Sequence, residues 1–245
     1  MICEICVDSA TAVRAAREAG ANRVELCVAL LEGGLTPSRG MIRQARRVNG
    51  VGLHVMIRPR GGDFLFDDDE MAIMRSDVEA AKDEGADGVV IGLLTREGEI
   101  DMARSQALIE LARPMSVTFH RAFDMTREPF AALETLIRLA VDRVLTSGQE
   151  TTVLEGLPLL AELVRRAGSR IVVMPGGGIT SRNVERIVSA IKPKEIHFAC
   201  LDPICSDMRF RREHVFMGGE LRPPEYTRMA TSAQAIRTVM ANLTG

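Results

Sequence analysis

Leu53-His54-Val55-Met56-Ile57-Arg58-Pro59-Arg60-Gly61-Gly62-Asp63-Phe64 decides the fold. An apolar, β-leaning run, Leu53 to Ile57, leads directly into arginines, a proline, paired glycines and an acid. A buried strand that ends in charge and glycine is how a parallel α/β fold presents a site. Helices cover the strand's outer face, and its C-terminal end opens onto the mouth of the sheet. Pro59 has no amide to donate and stops the strand, while Gly61-Gly62 lets the backbone take positive φ.

The same unit recurs in both directions along the chain. Strands are expected at Ile2–Val7, Arg23–Leu26, Leu53–Ile57, Gly88–Ile91, Ser116–Phe119, Arg143–Leu145, Ile171–Met174 and Glu195–Ala199. Between them lie apolar stripes at helical spacing. Ser9 caps Ala12, Val13, Ala16 and Ala19, and Thr36-Pro37 starts a helix, with Pro at its first position, that carries Met41, Ile42, Ala45 and Val48. Met71, Met74, Val78 and Ala81 follow, then a helix opened by Asp101 and running to Ala112. Leu133, Leu136, Ile137 and Ala140 mark the fifth helix, and Leu157, Leu160, Ala161 and Val164 the sixth, where Pro158 trims the first turn. Val184, Ile187, Val188 and Ile191 mark the seventh, and Ile236, Val239, Met240 and Leu243 the last. Glu18-Ala19-Gly20-Ala21-Asn22-Arg23-Val24 is echoed by Glu84-Gly85-Ala86-Asp87-Gly88-Val89: a helix end, a tight turn and a strand start. The period is about thirty residues, the size of a βα unit. Eight such alternations in 245 residues predict an α/β fold, a single (β/α)8 TIM-type barrel over residues 1–245, with an irregular segment at 202–224 before the last helix. A doubly wound open sheet is the competitor, weakened by the lack of G-x-G-x-x-G after the first strand.

The formal net charge is −2, no long basic run occurs, and there is no Trp and one Tyr. That argues against a nucleic-acid surface or an anionic-membrane surface. Five cysteines at irregular spacing do not read as a disulfide framework, and neither a signal peptide nor a membrane-spanning run is evident, so a cytoplasmic setting is expected.

If the fold is a barrel, its strands share one mouth, and side-chain alternation assigns what faces it. Cys3, Ile5 and Val7 belong to one face of the first strand, Glu4 and Cys6 to the other. Val24 and Leu26 oppose Arg23, Glu25 and Cys27. With the apolar faces against the helices, Glu4, Cys6, Glu25, Cys27, His54, Met56, Arg58, Thr118, His120 and His197 are expected to point inward. Carboxylates and imidazoles are costly there unless paired or used, so Glu4, Glu25, Arg58, His120 and His197 are the candidate catalytic groups. The plainer alternative is that Glu4 or Glu25 neutralises Arg58 or Arg121, and that His120 is a satisfied core histidine. Arg60, the hydroxyl-bearing turn Thr146-Ser147-Gly148 and the glycine turn Gly176-Gly177-Gly178 are candidate anion-binding elements. Cys6 and Cys27 end adjacent strands at matching parity, so their sulfurs are able to converge on a soft ion such as Cu(I), although a buried cysteine is more often a small hydrophobe.

Several longer motifs resemble the CutC copper-homeostasis family: Glu4-Ile5-Cys6, Val24-Glu25-Leu26-Cys27, Gly33-Gly34-Leu35-Thr36-Pro37-Ser38, Met56 through Phe64, Thr118-Phe119-His120-Arg121-Ala122-Phe123-Asp124, Val144-Leu145-Thr146-Ser147-Gly148 and Met174 through Ile179. The resemblance runs in order from residue 2 to about 197. It implies a TIM-barrel-like fold, a cytoplasmic protein, and copper binding at Cys6 and Cys27. The family usually follows the strand-eight histidine with small hydroxyl residues and an arginine, whereas here Phe198-Ala199-Cys200-Leu201-Asp202 follows.

Two functions are therefore carried forward. One is a cytoplasmic copper-handling protein that binds Cu(I). The other is a barrel enzyme acting on a small phosphate- or carboxylate-bearing substrate by Glu/His acid–base chemistry. The aperiodic segment at 202–224 is expected to cover the mouth, to dock a second subunit in a homo-oligomer, or to be a plain solvated tail.

Overall fold

The computed structural model describes residues 1–218 and 225–243. Eight parallel strands, β1 (Ile2–Val7), β2 (Arg23–Leu26), β3 (Gly52–Met56), β4 (Gly88–Ile91), β5 (Ser116–Phe119), β6 (Arg143–Thr146), β7 (Val172–Pro175) and β8 (Glu195–Phe198), run in the order β7-β6-β5-β4-β3-β2-β1-β8. A parallel bridge between Gly176 and His197 joins the two ends, so the sheet closes as a TIM-type barrel. The helices that cover it are α1 (Ala10–Glu18), α2 (Arg39–Arg46), α3 (Asp68–Asp83), α4 (Met102–Ala112), α5 (Pro129–Arg138), α6 (Leu157–Ala167), α7 (Val184–Ile191) and α8 (Ala233–Ala241).

Strand alternation falls as the sequence requires. Cys3, Ile5, Val7, Val24, Leu26, Leu53 and Val55 join the apolar layer between sheet and helices. Cys6, Cys27, Met56 and Val90 form a separate small cluster inside the barrel. Each large aliphatic side chain buried in the outer layer contributes about 1.5–3 kcal/mol, so a one-residue slip, which would turn that whole set inward, is strongly disfavoured.

Two sequence expectations are corrected. The second helix starts not at Thr36-Pro37 but after Ser38, whose hydroxyl accepts the Met41 amide at 3.2 Å. Thr36 is used elsewhere, its hydroxyl accepting the Arg58 amide at 2.9 Å and so fixing the loop after β3. The segment after β8 is not wholly irregular: β9 (Leu201–Cys205) pairs antiparallel with β10 (Thr227–Thr231). Neither strand has a buried residue, which removes the apolar alternation that would have announced them. Residues 219–224 of the 202–224 segment lie outside the described residues. Pro158 does no harm, since it occupies the first turn of α6, where no intrahelical donor is lost.

Candidate functional site

The closed end of the barrel is filled with charge. Arg23 opens β2, Arg143 opens β6 and Glu195 opens β8. Arg23 donates through Nε to Glu4 and through Nη2 to Glu195, both closely. Arg143 Nε reaches Glu195 at 3.1 Å, and its Nη1 reaches Ser116 Oγ at 2.8 Å and Thr118 Oγ1 at 3.2 Å. Strand parity puts Arg23 on the inward face without naming its partner, and Arg143 and Glu195 are not among the groups expected from the sequence. The signal was available: each stands two residues before an inward-facing Leu145 or His197. The suggested neutralisation of Arg58 or Arg121 by Glu4 is not what forms; Glu4 pairs with Arg23 and His197 instead.

The chain of charge continues toward the mouth. His197 Nδ1 lies 2.7 Å from Glu4 Oε1, and its Nε2 is 3.8 Å from Glu25 Oε2. Glu4 is fully buried, which by itself would raise its pKa. The hydrogen bond from His197 and the charges of His197 and Arg23 outweigh burial and hold the carboxyl below the usual range. Glu25 goes the other way: burial dominates and raises it, with His197 only partly compensating. Burial alone would depress His197, but the Glu25 charge and the Glu4 hydrogen bond raise it. His54 has no comparable support. Burial lowers it to about 4, against the attraction of Glu4 at 3.8 Å.

At the mouth, a cavity of about 330 Å³ is lined by residues that include Cys6, Glu25, Met56, Arg58, Phe64, His120 and His197. Cys6 Sγ, in the lining, is 3.6 Å from Cys27 Sγ, which is buried behind it. Cys6, Glu25 and Cys27 each offer a ligand atom within 4.8 Å of the others. The neighbouring thiol, then burial, push the Cys6 thiol well up. All five cysteines are free thiols.

His120 follows β5 and caps the short turn Arg121–Met125. Its Nδ1 accepts the Ala122 amide at 3.1 Å, which puts the proton of the neutral ring on Nε2. Burial and then the Arg58 charge lower its pKa to about 3, so the ring is neutral near pH 7. Gly92 makes room for it: a Cβ there would come within 2.3 Å of the His120 ring and 2.9 Å of Ala122 Cβ. Gly92→Ala is accordingly expected to lower stability by about 1–3 kcal/mol, the usual range for overpacking a buried site. Urea denaturation measures it, and an unchanged midpoint would show that the ring is not fixed where it stands.

Arg58 is held by backbone carbonyls, through Nη1 to Glu32 (2.7 Å) and Gly34 (3.2 Å) and through Nη2 to Gly62 (2.9 Å). Its guanidinium and the His120 ring both lie against Phe64, at 5.0 and 5.1 Å from the ring centroid. The structure thus brings Cys6, Glu25, Arg58, His120 and His197 to one cavity, with Glu4 and Cys27 directly behind.

The expected anion-binding elements lie elsewhere. Arg60 is bound to Glu70 at 2.5 Å and Asp63 at 3.1 Å, outside the lining of this cavity. Glu70 also closes the capping box of α3 with Asp67, so Arg60 serves the helix start. Thr146, Ser147 and Gly148 do cradle an anion, but it is the chain's own. The Asp124 carboxylate accepts from Thr146 Oγ1 (2.5 Å), the Ser147 amide (3.0 Å), Ser147 Oγ (2.9 Å), the Gln149 amide (3.1 Å) and Arg121 Nε (2.7 Å). Gly148 gives its amide to Thr146 Oγ1 at 2.9 Å. Sequence reasoning missed Asp124 because it lies in a turn with no strand or helix period. Gly176 carries the bridge that closes the barrel. Gly177 takes φ +124° with Arg121 packed on it, and the Gly178 carbonyl accepts from Asn183 Nδ2 at 2.8 Å. None of these three glycines is among the residues that line the cavity.

Residues 1–201 match the CutC family. The chain is 48% identical over 238 residues to the copper homeostasis protein cutC homolog of Mus musculus, covering 97% of this chain and 88% of the mouse protein. The corresponding Homo sapiens protein is also 48% identical, covering 97% of this chain and 87% of that protein. The crystal structure of a CutC protein from Streptococcus agalactiae superposes with a TM-score of 0.77 at 33% identity, covering 81% of this chain and 98% of that one.

Proposed function

On the premise that this chain belongs to the CutC family of copper-homeostasis proteins, we propose that it handles copper by binding Cu(I) through Cys6 and Cys27. The observation that carries the proposal is the thiol pair, 3.6 Å apart, with Cys6 in the lining of the mouth cavity and Cys27 behind it. With metal–sulfur bonds of about 2.3 Å, as in zinc thiolates, sulfurs at that spacing subtend about 100° at the metal. A bent pair leaves room for a third donor, and the Met56 thioether packs in the same cluster, a soft group of the kind Cu(I) selects. Glu25 is a harder donor within reach. A cytoplasmic location is part of the proposal and is supported by five free thiols. Self-association is also part of it, supported by the exposed side chains of Met208, Phe210 and Met217. No helix among the described residues is long and apolar enough to cross a membrane.

The test is competition for Cu(I) against a chelator under reducing conditions. The Cys6→Ser, Cys27→Ser double variant is expected to bind at least about a hundredfold more weakly, or about 3 kcal/mol. Because the metal must displace thiol protons, wild-type affinity should rise with pH up to the raised Cys6 pKa. Equal affinity in the two proteins would reject the site.

A second reading is favoured by a separate observation: two carboxylates pushed in opposite directions share one histidine at a cavity mouth. Glu4 holds His197 by a hydrogen bond, Glu25 faces the cavity, and His120 and Arg58 present N–H groups to it. This arrangement suits an enzyme acting on a small anionic substrate by acid–base chemistry. A thiolate copper site has no use for the buried imidazole and guanidinium at the other wall.

A further inference from the structure

Buried polar side-chain atoms normally have a partner, and each exception calls for a reason. The atoms without one among the described residues include His120 Nε2, Arg58 Nε and Glu25 Oε1. These three belong to residues lining the same cavity, and the residues are only 4%, 6% and 2% exposed. Two are donors. His120 has committed Nδ1 to Ala122, leaving Nε2–H, and Arg58 has committed both terminal nitrogens to carbonyls, leaving Nε–H. The third is an acceptor. Phe64 supplies an apolar wall beside both donors.

We propose that the mouth cavity binds a small hydroxycarboxylate, its carboxylate held by His120 Nε2–H and Arg58 Nε–H and its hydroxyl donated to Glu25 Oε1. The proposal rests on the reading of the site as one for a small anionic substrate, and it chooses between the two anions that reading allows. A phosphate group needs a cradle of amides and hydroxyls. Of the two candidate cradles, the one from Thr146 to Gln149 is filled by Asp124, and the Gly176–Gly178 turn lies outside the lining of this cavity. Arg121, also in the lining, is paired with Asp124 at 2.7 Å, so the unpartnered donors are two N–H groups, one of them on a guanidinium, which match the two oxygens of a carboxylate. The volume of about 330 Å³ lies at the small end of ligand pockets, which run from roughly 300 to 1,000 Å³, and admits a compound of a few carbons.

The experiment uses the full chain and a panel of glycolate, lactate and malate, set against inorganic phosphate and glycerol 3-phosphate. Calorimetric titration gives affinity, and the 15N resonance of His120 Nε2 reports whether that atom is engaged. A hydroxycarboxylate is expected to saturate the wild-type protein and move the resonance. In His120→Phe, which keeps a ring against Phe64 but removes the donor, affinity is expected to fall about tenfold or more. If the variant does not fold, the wild-type resonance alone decides. Saturation by the phosphates in place of the acids would overturn the carboxylate assignment while leaving an anionic-substrate site standing. If neither class binds, both fail, and the buried donors are satisfied by water.

Discussion

Lowering the pH from 7 to 4.5 is expected to strip about 5 kcal/mol of folding stability through His54 and His120 together. Both imidazoles are held neutral by burial, His54 down to about 4 and His120 down to about 3. An unfolded histidine takes up its proton near pH 6.5. Below that, the unfolded chain binds protons that the folded one refuses, so acid favours unfolding until the folded values are reached. Over the two pH units from 6.5 to 4.5, each ring loses about 1.4 kcal/mol per unit, which gives the total. Other groups act differently in this window. His197 is raised, so its contribution is complete below the unfolded histidine value and fades only as pH rises through its folded value. Glu25 is raised, and protonating it on the way down relieves part of its burial penalty, which offsets some of the loss. Glu4 is lowered, so its contribution is intact above about pH 4.3 and is lost only below. The imidazole share is isolated by difference. Urea-denaturation free energies at pH 7 and 4.5 are compared for the wild type and a His54→Gln, His120→Gln variant, whose dependence on pH should be flatter by most of that 5 kcal/mol. Parallel profiles would mean that the two rings titrate normally and are not buried neutral.

How far the sequence led depended on the physical signal each residue carried. The barrel was legible because eight apolar runs alternate with helical stripes, and inward-facing acids and imidazoles stood out against that period. Glu4, Glu25, Arg58, His120 and His197 were placed by strand parity alone. Arg60 sits two residues beyond Arg58, past a proline, where parity no longer holds, and it turned to Glu70. The Thr146–Gly148 turn has the composition of an anion cradle, but composition cannot say whose anion fills it. Asp124 reaches it from another loop, across a sequence separation that no local pattern encodes. The β9–β10 hairpin was invisible because exposed strands need no apolar alternation.

Glu4→Gln is expected to cost about 3–5 kcal/mol, the range for breaking a buried ion pair from one side. The barrel's closed end holds Arg23 and Arg143 against Glu4 and Glu195, all nearly inaccessible to water. Removing one carboxylate leaves a guanidinium's worth of charge uncompensated and takes from His197 one of the two negative charges, Glu25 and Glu4, that raise it. Urea denaturation reads the loss, and NMR titration should show the His197 pKa falling. The informative comparison is Glu4→Leu combined with Arg23→Met, which removes the pair as a unit. Desolvating two charges nearly cancels their attraction, so well-packed apolar replacements of such pairs are often neutral or better. The double variant should therefore regain most of the stability lost by Glu4→Gln, with His197 still depressed. That result would mean that stability does not require this pair, and that its consequence lies at the mouth, where Glu4 sets the proton on the histidine facing Glu25. If the double variant is instead as unstable as the single one, the ion pair is itself a structural element of the barrel, and its role is not to tune the site.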